Sequence, residues 1–188
     1  MDKVALRKIY QERRKTLSHR ELLINDDLLL LKFQQLDFSK VNTLMSYWPI
    51  EQNNEPNTHL FSDYLHFLLP QLKMVFPKIS DRENMKGILV DENTIYNTNS
   101  WGITEPINGQ PVDPQSIDLI LVPLLIFDKL GHRVGYGKGF YDRFLTKCNK
   151  DAIFIGFSYF DPVEKISDTN EFDIPLTFGI TPHYIYEF

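Results

Sequence analysis

The chain has 188 residues, a formal net charge of −5, 43% apolar residues and 24% charged residues. Such a composition suits a soluble globule with its own core, and its acidic balance excludes a broad nucleic-acid footprint, which needs a basic surface. The single cysteine, Cys148, excludes an internal disulfide and suits a reducing compartment.

No apolar run approaches the ~20 residues of a membrane span. The opening MDKVALRKIYQERRK lacks the apolar stretch of a secretory signal. A cytoplasmic protein is therefore expected, without membrane or nucleic-acid partners. With no repeat, low-complexity tract or linker, residues 1–188 read as a single domain, and a monomer is expected.

In chain order, residues 2–16 read as a helix, with Val4, Leu6, Ile9 and Tyr10 as a loose apolar stripe. Ser18-His19-Arg20-Glu21 is a capping-box pattern, and a leucine-rich helix to about Leu36 should follow. Val41–Trp48 reads as a strand stopped by Pro49, and the polar loop IEQNNEPN leads to a helix over Thr58–Leu69. A short strand is expected at Lys73–Pro77 and another at 88–91, followed by a turn-rich stretch and NSWGITEP. Ile117–Val122 (IDLILV) and Ile153–Ser158 (IFIGFS) are almost continuously apolar, as strands buried on both faces are. Between them lie the glycine stretch and a helix through about Lys147. DPVEKI suggests a short helix, and a last strand is expected near Leu176–Ile180. This alternation predicts an α/β fold: a three-layer sandwich on a mostly parallel, Rossmann-like central sheet.

Ligands of such sheets lie beyond the carboxyl ends of the strands. GHRVGYGKGFYDRF, residues 131–144, occupies that kind of position. The bland reading is a flexible strand-to-helix connection. The sharper one is an anion site. Gly135, Gly137 and Gly139 alternate, so their N–H groups can curl into a nest; a helix starts near Phe140; and Lys138 adds a point charge. Neither familiar phosphate motif fits. Five residues separate Gly131 from Gly137, Gly139 stands where a Walker loop has Ser or Thr, and Phe140 stands where a dinucleotide fingerprint has its last glycine. Asp142 complements the helix dipole, or, beside a triphosphate, holds magnesium so that it does not repel the ligand. Arg143 fits a phosphate or a surface acid, and Tyr141 fits packing or ligand contact. His19, His59, His66, His132 and His183 lack metal-ligand spacing.

The string IDLILVPLLIFDKLGHRVGYGKGFYDRFL closely resembles the signature of the 5-formyltetrahydrofolate cyclo-ligase (methenyltetrahydrofolate synthetase) family. Weaker echoes run through Lys3 and Arg7, Glu55 and Thr58, VFPK at 75–78, WGITEP at 101–106 and DIP at 173–175. The resemblance implies closure of 5-formyltetrahydrofolate, polyglutamylated or not, to 5,10-methenyltetrahydrofolate, with ATP and Mg2+ consumed or required. It implies an ATP site of Lys3, Arg7, Arg133, Gly135, Tyr136, Gly137, Lys138, Gly139, Phe140 and Tyr141. Asp142 would serve the metal, Glu55, Trp101 and Tyr141 the folate, and Lys138 and Tyr141 the chemistry. Each has a bland counterpart: Lys3 and Arg7 as a solvated basic face, Arg133 as a loop anchor, Trp101 as a loop plug, Glu55 as a solvent-facing loop acid. Three positions depart from the family pattern: Phe140 replaces a common Tyr, Phe172 a frequent His, and Lys138 stands where some members have Gly. A non-catalytic nucleotide or folate binder, or a sugar-phosphate isomerase-like enzyme on a related sheet, are the rival readings. The second needs a general base, and none is apparent near the loop in the sequence.

Overall fold

A computed structural model describes residues 1–188. The helices are α1 (Lys3–Lys15), α2 (His19–Phe33), α3 (Thr58–Leu68) and α4 (Phe140–Leu145). The strands are β1 (Thr43–Met45), β2 (Lys73–Ile79), β3 (Met85–Val90), β4 (Tyr96–Thr98), β5 (Thr104–Pro106), β6 (Gln110–Val112), β7 (Leu119–Leu121), β8 (Ile126–Phe127), β9 (Arg133–Val134), β10 (Ile153–Phe157), β11 (Phe178–Ile180) and β12 (Ile185–Glu187).

Eight strands form one sheet in the order β12-β11-β10-β7-β1-β2-β3-β6. The five central strands are parallel, and β3, β6 and β12 extend the two edges antiparallel. Taken alone, the parallel strands follow the doubly wound order 2-1-3-4-5, whose direction reverses between β1 and β7. That gap fixes where a ligand crevice opens.

Alternation along the central strands divides the core. Leu44, Leu119, Leu121, Ile155 and Phe157 face α2 and α3, where Leu29, Phe33, Phe61 and Leu65 are fully buried. Met45, Ile120 and Val122 point the other way, toward Phe144 and Leu145 of α4. The sandwich is therefore lopsided. Its second helical layer is one short helix, supplemented by the β8–β9 hairpin and by α1, which meet through Leu6, Tyr10, Ile126 and Val134. No helix is long and apolar enough to cross a membrane.

The capping box of α2 is formed on both sides: the Ser18 hydroxyl accepts from the Glu21 N–H, and Glu21 accepts from the Ser18 N–H. Several expectations need correction: β1 keeps only Thr43–Met45 of the expected Val41–Trp48, and Phe178–Ile180 is not the last strand, since β12 follows it. The stripe on α1 is narrower than the sequence suggests and continues further: Val4 and Ile9 are exposed, while Leu6, Tyr10 and Arg14 are buried at i, i+4, i+8 spacing. DPVEKI is not helical; Val163 forms a parallel bridge with Asp128 instead, and the Asp128 carboxylate accepts the Ile166 N–H. The glycine stretch does not follow β7 directly, because the β8–β9 hairpin intervenes and claims residues 131–134. Finally, α4 ends at Leu145, two residues short of Lys147.

Candidate active site

A cavity of about 560 Å3 opens beyond the carboxyl ends of β1 and β7, at the reversal of strand order. Tyr47 and Trp48 follow β1 into its wall, and Pro123 follows β7. All thirteen expected site residues line it, from Lys3, Arg7, Glu55 and Trp101 through Arg133 to the run Gly135–Asp142. Residues from both halves of the sequence thus converge on one crevice.

The glycine loop forms one wall. Gly137 and Gly139 have φ of +87° and +69°, which residues with a Cβ rarely adopt. This curl turns the loop backbone toward the cavity. A Cβ on Gly137 would lie 3.2 Å from the Arg7 guanidinium, so the glycine also admits that side chain. Because α4 has only six residues, it offers little helix dipole at this wall, and the free polar groups here are chiefly those of the curled loop.

The cations on this wall are differently committed. Lys3 Nζ pairs with Asp173 at 2.5 Å. Burial alone would raise the Asp173 pKa, but the Lys3 ammonium and the Asn170 N–H outweigh it and hold the carboxyl below its ordinary value. Arg7 Nε donates to the Gly135 carbonyl at 2.8 Å, tying α1 to the loop. The i, i+4 pair on α1 therefore reaches the crevice rather than forming a solvated face. Arg133 is 8% exposed and pairs with Asp142 at 2.7 Å while donating to the Ile174 carbonyl. Burial pulls its pKa down, and Asp142 opposes that. Lys138 is exposed and has no ion-pair partner; its ammonium lies 5.9 Å from the centre of the Trp101 ring.

The remaining lining is aromatic and acidic. Trp101 sits in the turn between β4 and β5, is 51% exposed, and lies 6.2 Å from the Phe140 ring. Asn99 Oδ1 accepts from the Trp101 and Ile103 N–H groups and fixes that turn. Trp48 packs on Tyr96 of β4 at 5.0 Å, joining the β4–β5 hairpin to the crevice. Glu55 is not a solvent-facing loop acid. It is 9% exposed, its Oε2 accepts the Ile50 N–H at 2.7 Å, and its Oε1 accepts the Tyr136 hydroxyl. Burial raises its pKa, and those two hydrogen bonds and the Arg14 guanidinium oppose the rise.

Tyr141 projects from the first turn of α4, and its hydroxyl is buried without a hydrogen-bond partner. Burial pushes its pKa up, so it enters the cavity as a proton donor still lacking an acceptor. Asp142 Oδ1 holds Arg133 and the Ile174 N–H, which leaves Oδ2 for another partner. No cluster of three or more His, Cys, Asp or Glu side chains gathers anywhere. Magnesium bound chiefly by phosphate oxygens needs only one or two carboxylates, so this donor set fits that ion when phosphate accompanies it.

Among the cavity and near-cavity residues that escaped the sequence reading, Asp173, Tyr47, Trp48 and Arg14 bear most on the site. Asp173 stood inside the DIP echo without an assigned role. Tyr47 and Trp48 looked like ordinary strand residues. Arg14 was hidden in the basic run ERRK, although its i+4 spacing from Tyr10 was legible.

The profile of the 5-formyltetrahydrofolate cyclo-ligase family matches residues 1–165. A 5-formyltetrahydrofolate cyclo-ligase from Mycoplasma genitalium is 31% identical over 183 residues, covering 94% of this chain and 96% of the relative. The structure of a methenyltetrahydrofolate synthetase from Aquifex aeolicus superposes with a TM-score of 0.81 at 28% identity, covering 100% of this chain and 93% of the other. A synthetase of the same kind from Mycoplasma pneumoniae gives a TM-score of 0.72 at 27% identity, over 96% and 98% of the two chains. The family model spans most of the chain, and the relative from Mycoplasma genitalium spans nearly all of it, so the chain belongs to the 5-formyltetrahydrofolate cyclo-ligase family of enzymes.

Proposed function

We propose that the enzyme cyclises 5-formyltetrahydrofolate to 5,10-methenyltetrahydrofolate at the cost of ATP, with magnesium, through a phosphorylated formyl group. One juxtaposition carries the reading. The glycine-curled loop with its cations, Glu55, Trp101 and the unpartnered Tyr141 hydroxyl line a single crevice.

The formyl group is an amide, with a weakly electrophilic carbon and an oxygen that leaves poorly. Attack of that oxygen on the γ-phosphorus expels ADP and leaves an iminium-like carbon. The N10 nitrogen attacks this carbon and loses its proton, and cleavage of the carbon–oxygen bond releases phosphate. The protein's task is alignment and charge neutralisation. Lys138, Arg7 and the Gly135–Gly139 backbone hold phosphate oxygens, with Lys3 close by. Arg133 acts mainly by fixing Asp142, since its guanidinium is already engaged. Magnesium, when bound, neutralises phosphate charge; Asp142 Oδ2 is the protein ligand available to it. Glu55 accepts hydrogen bonds from the N–H edge of the pterin, Trp101 covers the ring, and the Tyr141 hydroxyl faces the formyl and N10 side. Phe140 contributes a ring surface beside Trp101 and no hydroxyl.

Mixing the chain with 5-formyltetrahydrofolate, ATP and magnesium should produce methenyl absorbance and one ADP per product. Absence of both under conditions where the fold is intact contradicts the reading. Trp101→Ala should weaken folate binding about tenfold while changing ATP binding less than twofold, since one stacked face is worth ~1–3 kcal/mol. Equal losses for both ligands in a titration would identify Trp101 as a loop plug.

A further inference from the structure

The geometry points to Tyr136 and Arg14 as positioning residues that hold Glu55 in the orientation and charge state in which it receives the pterin, an inference that rests on the folate reading above. Arg14 is 1% exposed, yet its guanidinium has no carboxylate within ion-pair distance. Its Nη2 donates to the Leu124 carbonyl at 2.6 Å, its Nη1 reaches the Tyr136 hydroxyl at 3.4 Å, and its Nε has no partner. The Tyr136 hydroxyl in turn donates to Glu55 Oε1. A buried cation and a buried anion are thus joined through one phenol.

The arrangement answers a physical difficulty. A buried guanidinium and a buried carboxylate each cost several kcal/mol unless compensated. Direct pairing would satisfy both but would occupy the Glu55 oxygens with Arg14. Interposing Tyr136 keeps the two charges within mutual influence while leaving acceptor capacity on Glu55 for a ligand. The Ile50 N–H fixes the other carboxylate oxygen. Tyr136 therefore meets the crevice through its hydroxyl as a brace for Glu55, and contributes to the phosphate loop only through its backbone.

Every ionisable or polar group facing this carboxylate bears on its titration. Arg14 comes from α1, Tyr47 from the end of β1, Asn53 from the Glu51–Asn53 turn by way of Tyr136, Tyr141 from α4, and Tyr159 from the segment after β10. The tyrosines are pushed up by burial and stay neutral. Burial raises the Glu55 pKa, whereas the Tyr136 hydrogen bond and Arg14 lower it. Removing the phenolic hydroxyl thus raises the Glu55 pKa further, and protonated Glu55 loses acceptor capacity. The acid limb of folate binding must then move to higher pH.

Tyr136→Phe keeps the ring that packs on α1 and deletes only the hydroxyl. Binding of 5-formyltetrahydrofolate and, separately, of ATP is measured by titration from pH 5 to 8, with Glu55→Gln as the reference and circular dichroism as the check on folding. The expected result is folate affinity lowered about tenfold, as for loss of a hydrogen bond to a charged group, with ATP affinity within twofold of the parent. The acid limb should shift upward by about one pH unit, and Arg14→Gln should shift it in the same direction. Unchanged folate affinity in Tyr136→Phe, or equal loss of folate and ATP affinity, overturns the proposal. If Glu55→Gln weakens folate binding while Tyr136→Phe does not, only the brace fails. If the parent chain binds no folate, or Glu55→Gln leaves binding intact, the folate reading fails together with it.

Discussion

Lys138→Ala is expected to lower kcat about 10²–10³-fold, the usual cost of removing one preorganised electrostatic stabiliser. The reason lies in how the other cations are committed. Lys3 is paired with Asp173, Arg133 with Asp142, and Arg7 is tied by Nε to the Gly135 carbonyl. Lys138 has no ion-pair partner and rests only against the Trp101 ring. It is therefore the charge most free to follow the transferring phosphoryl group. The loss should fall mainly on kcat, with ATP KM rising only a few-fold, because the loop backbone still binds the ground state. Lys138→Arg should recover part of the rate by restoring the charge. Steady-state kinetics at saturating folate and magnesium decide it. A kcat within twofold of the parent would mean that the N–H groups of the curled loop suffice, in keeping with the glycine that some family members carry there.

Much of this site was legible because local chemistry wrote it down. Alternating glycines before Phe140 signalled positive φ, and Gly137 and Gly139 have it. Apolar runs at 117–122 and 153–158 marked strands buried on both faces, and these lie at the centre of the sheet. The folate side was a different matter. Nothing in IEQNNEPN distinguishes a solvated Glu55 from a buried one; burial comes from Tyr136, 81 residues away, and from the loop turning back on itself. The Lys3–Asp173 pair spans 170 residues and has no local signature. The β8–β9 hairpin was missed because each strand has only two residues: Ile126–Phe127 reads as the tail of the apolar run, and Arg133–Val134 lies inside the glycine stretch. In DPVEKI the helical pattern was real but too short to nucleate, and the Asp128 carboxylate claimed the Ile166 N–H.

Asp142→Asn should raise the magnesium concentration for half-maximal activity at least tenfold, an effect distinct from its structural one. The carboxylate serves two partners at different oxygens. Oδ1 compensates the buried Arg133 guanidinium and accepts the Ile174 N–H, while Oδ2 is the atom left for a cation. Asn preserves an acceptor at Oδ1 but removes the charge from both. Breaking a buried ion pair outright costs about 3–5 kcal/mol; with the hydrogen bond retained, a loss of about 1–3 kcal/mol is expected. Urea denaturation without magnesium reads that structural part. Asp142→Ala supplies the contrast, since it deletes the hydrogen bond as well and should be the less stable of the two. If Asp142 acts on the metal, both variants shift the magnesium titration strongly, whatever their difference in stability. If it only anchors Arg133, activity should follow stability, with Asn close to the parent and Ala impaired, and the magnesium midpoint should stay in place for both. An unmoved midpoint in Asp142→Asn would therefore remove Asp142 from the metal site and leave Arg133–Asp142 as a clasp between the glycine loop and the segment carrying Ile174.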